Sequence, residues 1–246
     1  MKKNRTIIRI CLILLICLTF KSETFAENKN EIILNDISLN TIVHPDIYQP
    51  FKFRSSLSVM FTSIPIDWIE ITIDAPIFQF STKMGLPLGF TLNGTIETAL
   101  ISNQFKLGGD WNYEIGSFSM SLGLDGIFLL GYLPVMEFKN YAHGFSVNPN
   151  ISFGYKTKEI AFTINTEYNY TNLYNISSGN SNTDPYSFNR PGGLVSFFIE
   201  QKLWNDKVMI LGLISNFNIY YFPAWPAFHV FQKVFYIPQV QIGLVL

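Results

Sequence analysis

The chain has 246 residues, of which 48% are hydrophobic and 16% aromatic but only 14% charged. Soluble domains carry about 25% charged residues, so this composition calls for a sink for apolar surface, either a large core or lipid. The formal net charge of −1 argues against a nucleic-acid partner, which would need a strongly basic face.

Residues 1–26 have the organisation of a secretory signal peptide. Lys2, Lys3, Arg5 and Arg9 form the positive start, Ile10 to Phe20 the apolar run, and Thr24-Phe25-Ala26 the small-x-small cleavage site. The alternative is an uncleaved N-terminal anchor. Cleavage before Glu27 removes five basic residues and one acidic, which takes the net charge from −1 to −5. Both cysteines, Cys11 and Cys17, leave with the leader, so the mature chain has no disulfide or thiol chemistry. Leu14-Leu15-Ile16-Cys17 is faintly similar to a lipidation signal. Ile16 is bulky where that signal needs a small residue, and a cut there would sever the apolar run.

Residues 27–50 are polar and irregular, broken by His44-Pro45 and Gln49-Pro50. They read as a periplasmic N-terminal tail, with Ile32, Leu34, Ile37 and Leu39 able to supply an extra strand or a plug. From Phe51 onward the recurring pattern is alternation, which marks a strand with one apolar and one polar face. Phe51 to Thr62 is the first such stretch and Ser63 to Pro65 its turn. Asp67 to Ala75 is the second, with Ile69, Ile71 and Ile73 on one face, and Pro76 to Gly85 reads as a connection with room for part of another strand. Leu86 to Ile101, Gln104 to Ile115 and Ser117 to Leu130 follow. Gly131 to Gly144 reads as a loop.

The clearest unit comes next. Phe145, Val147, Ile151, Phe153 and Tyr155 oppose Ser146, Asn148, Asn150 and Ser152. After the turn 156–159, Ile160, Phe162, Ile164, Tyr168 and Tyr170 oppose Thr163, Asn165, Glu167 and Asn169. Leu173 to Gly193 is irregular and polar. Leu194 to Leu203 and Val208 to Phe222 form a further hairpin, Pro223 to Phe231 an aromatic loop, and Gln232 to Leu246 the last strand. No run of about 18 or more apolar residues follows the leader, so no transmembrane helix is expected.

These strands exceed the five or six residues usual in globular sheets. Ten residues at ~3.3 Å each and ~45° tilt cross roughly 23 Å, the height of the apolar band of an outer-membrane barrel. Charged residues gather on one parity and tyrosines near strand ends, as lipid on one side and interfacial girdles would require. On this pattern the region 51–246 resembles the bacterial outer-membrane β-barrel class. The fold class expected is all-β: a closed antiparallel up-and-down transmembrane barrel of about ten strands, within a range of about eight to twelve. One departure is the last residue, Leu246, where such barrels commonly end on an aromatic.

The polar parity supplies candidates for the lumen lining: Lys52, Arg54, Glu70, Glu97, Lys106, Asp110, Glu114, Glu167, Glu200 and Lys202, with Asp74 and Asp125 in the same set. A barrel of about this size has an interior just wide enough for side chains, so buried charges there must pair or be hydrated. The expected function is a narrow, porin-like channel in the outer membrane of a Gram-negative cell, its acid excess favouring cations or small polar solutes. The alternative is a structural or adhesin-like barrel that presents loops 173–193 and 223–231, with Tyr174, Tyr186, Trp225 and Phe228 as contact residues.

An outer-membrane hydrolase fits less well. His44, His143 and His229 are the only histidines. Ser146 turns away from His143, and His44 beside Asp46 falls in the tail, so no nucleophile–base pair is fixed. No ligand cluster suggests a metal and no glycine-rich loop a phosphate. No cofactor and no nucleic-acid partner are expected. Lipid is the expected environment and small polar solutes the expected guests.

Overall fold

The computed structural model describes residues 39–63, 74–99, 102–135, 138–178, 181–182, 192–203, 207–218 and 234–246. The strands are β1 (Phe53–Ser63), β2 (Asp74–Gly85), β3 (Phe90–Thr98), β4 (Ser102–Ile115), β5 (Phe118–Val135), β6 (Phe138–Lys156), β7 (Ile160–Ser178), the two-residue β8 (Ser181–Asn182), β9 (Gly192–Lys202), β10 (Val208–Asn218) and β11 (Phe235–Val245). Each long strand pairs antiparallel with its neighbours in sequence. β7 joins β9, β8 being only a short addition to the end of β7, and β1 also pairs with β11. The result is a closed barrel of ten long strands with up-and-down order. Closure leaves no long strand with an unpaired side, which is the condition for holding backbone polar groups in lipid.

Alternation decides which way each side chain points. Leu57, Phe61, Leu92, Leu107, Leu124, Leu213 and Ile242 stand out from the wall and are 41–64% exposed. Ser58, Thr62, Thr91, Asp110, Asp125 and Gln241 on the other parity are at most 6% exposed. Among the strand side chains the structure describes, no outward position carries Asp, Glu, Lys or Arg. That is the sorting lipid enforces, since a cation on the lipid face at mid-bilayer costs about 2–4 kcal/mol. Aromatic pairs mark both ends of the band. Phe118–Tyr155 and Trp111–Tyr113 lie near one rim, and Tyr132–Tyr141 and Phe217–Tyr236 near the other.

Connections differ between the rims. Residues 86–89, 116–117, 157–159 and 203–207 join strands at the rim where β1 begins and β11 ends. Residues 64–73, 99–101, 136–137, 179–191 and 219–234 join them at the other. The tightest described turn, Gly116-Ser117, links Ile115 to Phe118, which are paired. Gly116 has φ +61° with open space around its α-carbon, so glycine is needed there for the backbone alone.

Three sequence expectations change. The second strand is Asp74–Gly85, so the stretch 76–85 is wall rather than connection, and 67–73 lies outside the described residues. Ser102 and Asn103, left between two expected strands, belong to β4. The loop expected at 131–144 is largely a continuation of β5 and β6, paired from Gly131↔Ala142 to Val135↔Phe138, and β7 continues through 173–178. Gly131, Ala142 and Gly144 are buried on the inner parity there, so small residues that look like breakers are the inward side of a long hairpin.

The interior is divided. The sector under β9, β10 and β11 and the adjoining β1 and β2 holds the apolar cluster: Met60, Ile77, Phe198, Val208, Ile210, Ile214 and Ile237 are each at most 8% exposed and pack together, among buried polar residues such as Ser58, Glu200 and Gln241. The sector under β3 to β7 is polar. Leu39 and Ile42 of the N-terminal segment belong to the apolar cluster, which is where the expectation of a tail through residue 50 has to be revised.

Candidate functional site: a stoppered polar lumen

Residues 39–48 are folded into the lumen. Leu39, Thr41, Ile42, His44, Asp46 and Tyr48 are each at most 4% exposed. Glu200, on the inner face of β9 and fully buried, holds this segment. Its Oε1 accepts the backbone N–H of Ile42 at 2.7 Å and of Val43 at 3.1 Å, and its Oε2 accepts that of His44 at 2.7 Å. A buried carboxylate is tolerated when donors surround it, and three successive main-chain N–H groups do so here.

Asp46 is the second anchor. It takes the Nδ1 of His44 at 3.0 Å and Arg54 Nη1 at 3.3 Å, and it also binds Lys156 and the hydroxyl of Thr41. Burial alone would raise its carboxyl. The hydrogen bond from His44 and the charges of Lys156 and His44 outweigh burial and hold Asp46 well below the usual carboxylate range. Arg54 also donates to Thr41 O at 2.7 Å and lies 4.5 Å over the Tyr48 ring. Glu114, exposed at the rim, accepts the N–H of Ile47. Segment 39–48 is thus tied to β1, β4, β6 and β9.

His44, Asp46 and Ser119 have the residue types of a nucleophilic triad, and their arrangement differs from that of one. Ser119 Oγ is 3.1 Å from His44 Nε2 and 3.4 Å from Nδ1. A hydroxyl on the Nε2 lone-pair axis would be much farther from the opposite nitrogen. The serine therefore lies off the axis a general base needs, and the ring, 1% exposed, packs over Gly154 instead.

Above this stopper lies a cavity of about 160 Å³, bordered by Ile42 and Val43, by mostly polar residues of β2 to β7, and by Ser56, Phe198, Ile210 and Gln241 of the remaining wall. The residues that matter sit in two rows across neighbouring strands. Asn93, Gly108, Asp125 and Asn148 are paired in one, and Thr91, Asp110, Gly123 and Asn150 in the next. Each carboxylate faces a glycine on the adjacent strand. A Cβ on Gly108 would come within 1.8 Å of Asp125 Oδ1, and one on Gly123 within 2.1 Å of Asp110 Oδ1. Asn93 donates to Asp110 at 2.9 Å and Asn150 to Asp125 at 2.8 Å. Lys106 joins Glu167 at 2.7 Å and Asp125 at 3.1 Å, and Lys83 stands 3.9 Å from Asp110.

The candidates named from sequence fall into distinct places. Lys106, Asp110 and Glu167 come together at the cavity. Glu97 is bound by Gln79 at 3.0 Å beside it. Arg54 and Glu200 hold the stopper. Lys52 and Glu114 are exposed at the rim, and Lys202 is half-buried at the end of β9. Glu70, Tyr186, Trp225 and Phe228 lie outside the described residues. Tyr174 is a β7 residue whose backbone pairs with Gly144. Sequence reasoning missed Lys83, because its stretch read as a connection, and Lys156, which read as turn. It also missed Asp46 and His44 as lumen residues, since their partners are far away in the chain.

A ten-stranded antiparallel barrel with aromatic ends, a largely polar interior and an apolar exterior that is uncharged among the described strand side chains defines an outer-membrane-type β-barrel. No family model and no curated protein matches the chain. Solved structures similar to it include the KdgM porin, with 10% identity over 77% of this chain and 97% of that one and a TM-score of 0.38. Neisserial surface protein A gives 11% identity, 79% and 96% coverage and a TM-score of 0.35. The translocator domain of the autotransporter NalP from Neisseria meningitidis gives 8%, 80% and 89%, and 0.37. At such identities the assignment rests on the topology and exterior of the chain itself.

Proposed function

We propose that this protein is a narrow, porin-like outer-membrane channel for small cations or small polar solutes, closed at one end by its own residues 39–48. The leader 1–26 would deliver it across the inner membrane, and the short-connection rim would face the periplasm. The observation that carries the reading is the polar cavity itself. Most of its border is polar and carries paired charges, with Phe198 and Ile210 on one side, and Ile42 and Val43 of the stopper form part of its wall. Its border carries Asp110, Asp125 and Glu167 against Lys83 and Lys106, an acid excess that favours cations. The off-axis geometry of Ser119 and His44 supports a non-enzymatic role.

The test is ion current across planar bilayers containing the full-length protein. Small currents with a reversal potential on the cation side are expected under a KCl gradient. Glu200→Ala, which removes the acceptor for three stopper N–H groups, should enlarge them. Absence of current from both proteins, when both show heat-modifiable migration and so are folded, would overturn the channel.

A further inference from the structure

Among the described residues, six of the seven most exposed large apolar side chains lie in one sector of one rim: Phe51, Phe53, Leu88, Ile115, Phe118 and Leu246. Each is at least 64% exposed, and the seventh, Leu107, stands on the wall. The six sit where β1 begins and β11 ends, at the β2–β3 turn and at the β4–β5 turn, which follow one another around the barrel. The next turn, 157–159, exposes Thr157, Lys158 and Glu159 instead. The apolar surface of this rim is therefore one-sided.

Two of the six occupy backbone positions that do not suit them. Lys52 donates its N–H to Gln49 O at 3.2 Å, which closes a turn around Pro50 and Phe51, and Phe51 has φ +63°. Phe90 donates its N–H to Pro87 O, which closes a second turn in which Leu88 has φ +64° and Gly89 φ +78°. Turns with left-handed backbone at these positions favour Gly or Asn, and a bulky residue there is strained. Packing within the chain does not explain the choice, since Phe51 is 68% and Leu88 84% exposed. Strain of this kind persists where the side chain is needed for something outside the turn.

The surface is continuous with the lipid-facing wall. Phe51 and Phe53 precede Leu57 on one parity, and Leu88 precedes Phe90 and Leu92. Tyr and Trp mark the polar boundary of a bilayer. On β4 the outward series Trp111, Tyr113, Ile115 runs past that mark to an apolar residue, and Ile115 pairs with Phe118. On β6, Tyr155 gives way to Lys156 and the polar turn. Water would penalise so much contiguous apolar surface, whereas acyl chains would not. We infer that this sector is a lipid-insertion patch: the turns at Phe51 and Leu88 and the Ile115–Phe118 hairpin end enter the acyl region of the leaflet at the short-connection rim, while turn 157–159 stays in water. The barrel is then immersed more deeply on its β1–β5 side. The patch depends on the membrane-spanning wall and not on conduction.

The test is site-directed spin labelling of the full-length protein carrying Cys11→Ser and Cys17→Ser, folded into vesicles of phosphatidylethanolamine and phosphatidylglycerol. Single labels are introduced through Phe51→Cys, Leu88→Cys, Leu107→Cys on the wall and Lys158→Cys, and heat-modifiable migration shows which are folded. Collision with oxygen reports lipid, and collision with a water-soluble nickel chelate reports water. The oxygen-to-nickel ratio at Phe51 and Leu88 is expected to approach that at Leu107 and to exceed that at Lys158 several-fold. A ratio at either position like that at Lys158 overturns the patch. Poor access of both reagents, as under a second copy or another protein, overturns it too. Should Phe51→Cys or Leu88→Cys fail to fold, Phe53→Cys and Ile115→Cys, both on strands, carry the same expectation and the same refutation.

Discussion

The Asp125 carboxylate lies over the α-carbon of Gly108 on the neighbouring strand, where a Cβ would approach Oδ1 to 1.8 Å. Asp125 cannot simply swing aside, because Lys106 and Asn150 hold its other oxygen. Gly108→Ala should therefore destabilise the barrel by about 1–3 kcal/mol, the usual cost of forcing extra volume into a packed interior. The check is the temperature at which the folded band disappears on a detergent gel. Asp125→Ala in the same chain should return part of the loss, since the two sites share one space.

Glu200 governs whether segment 39–48 stays seated. Glu200→Gln keeps the shape but turns an amide N–H₂ towards a main-chain N–H. Each charge-assisted bond lost costs about 1.5–3 kcal/mol. The expected outcome is cleavage by added protease between residues 39 and 50 in the variant and protection in the parent, with the barrel itself resistant in both. Equal protection would mean that Asp46 and its partners suffice.

Asp46 contributes to this anchoring down to low pH. The folded-state pKa of Asp46 is depressed, so its contribution is complete above the ordinary aspartate value of about 3.9 and disappears as pH falls through the lower, folded value. The difference in protease protection of residues 39–50 between the parent and Asp46→Asn should therefore be constant above about pH 4 and shrink below it.

The two faces of β3 make unequal demands. Ile96 is 46% exposed on the outer wall, and its neighbour Thr95 borders the cavity. Ile96→Arg should impair assembly by about 2–4 kcal/mol if it sits near mid-bilayer. Thr95→Arg meets an acid-rich lumen and should assemble, with a shift towards anions in its reversal potential. The yield of heat-modifiable protein compares them.

Much of this architecture was legible because lipid and lumen impose opposite chemistry at every second residue. The hairpin β6–β7 and the cleft residues Lys106, Asp110 and Glu167 follow from parity alone. Parity was silent where both faces are apolar: Val208, Ile210 and Ile214 point inward on β10 while Leu211 and Leu213 point outward. It misplaced β2, because Ile69, Ile71 and Ile73 alternate as well as Phe78 and Phe80 do. Local pattern offered a plug only through Leu39 and the apolar residues before it, and could not place the polar part of the stopper. Thr41, His44 and Asp46 look like a solvated tail until Glu200, more than 150 positions away, supplies the acceptor.

The pairing of Ser56 with Val245 and Val59 with Ile242 has a kinetic consequence. It joins strands almost a chain length apart, so the sheet keeps two raw edges until its final strand arrives. Insertion must then be completed by one long-range docking event, the slowest kind of contact to form. Until then those edges are open to pairing with any other extended chain.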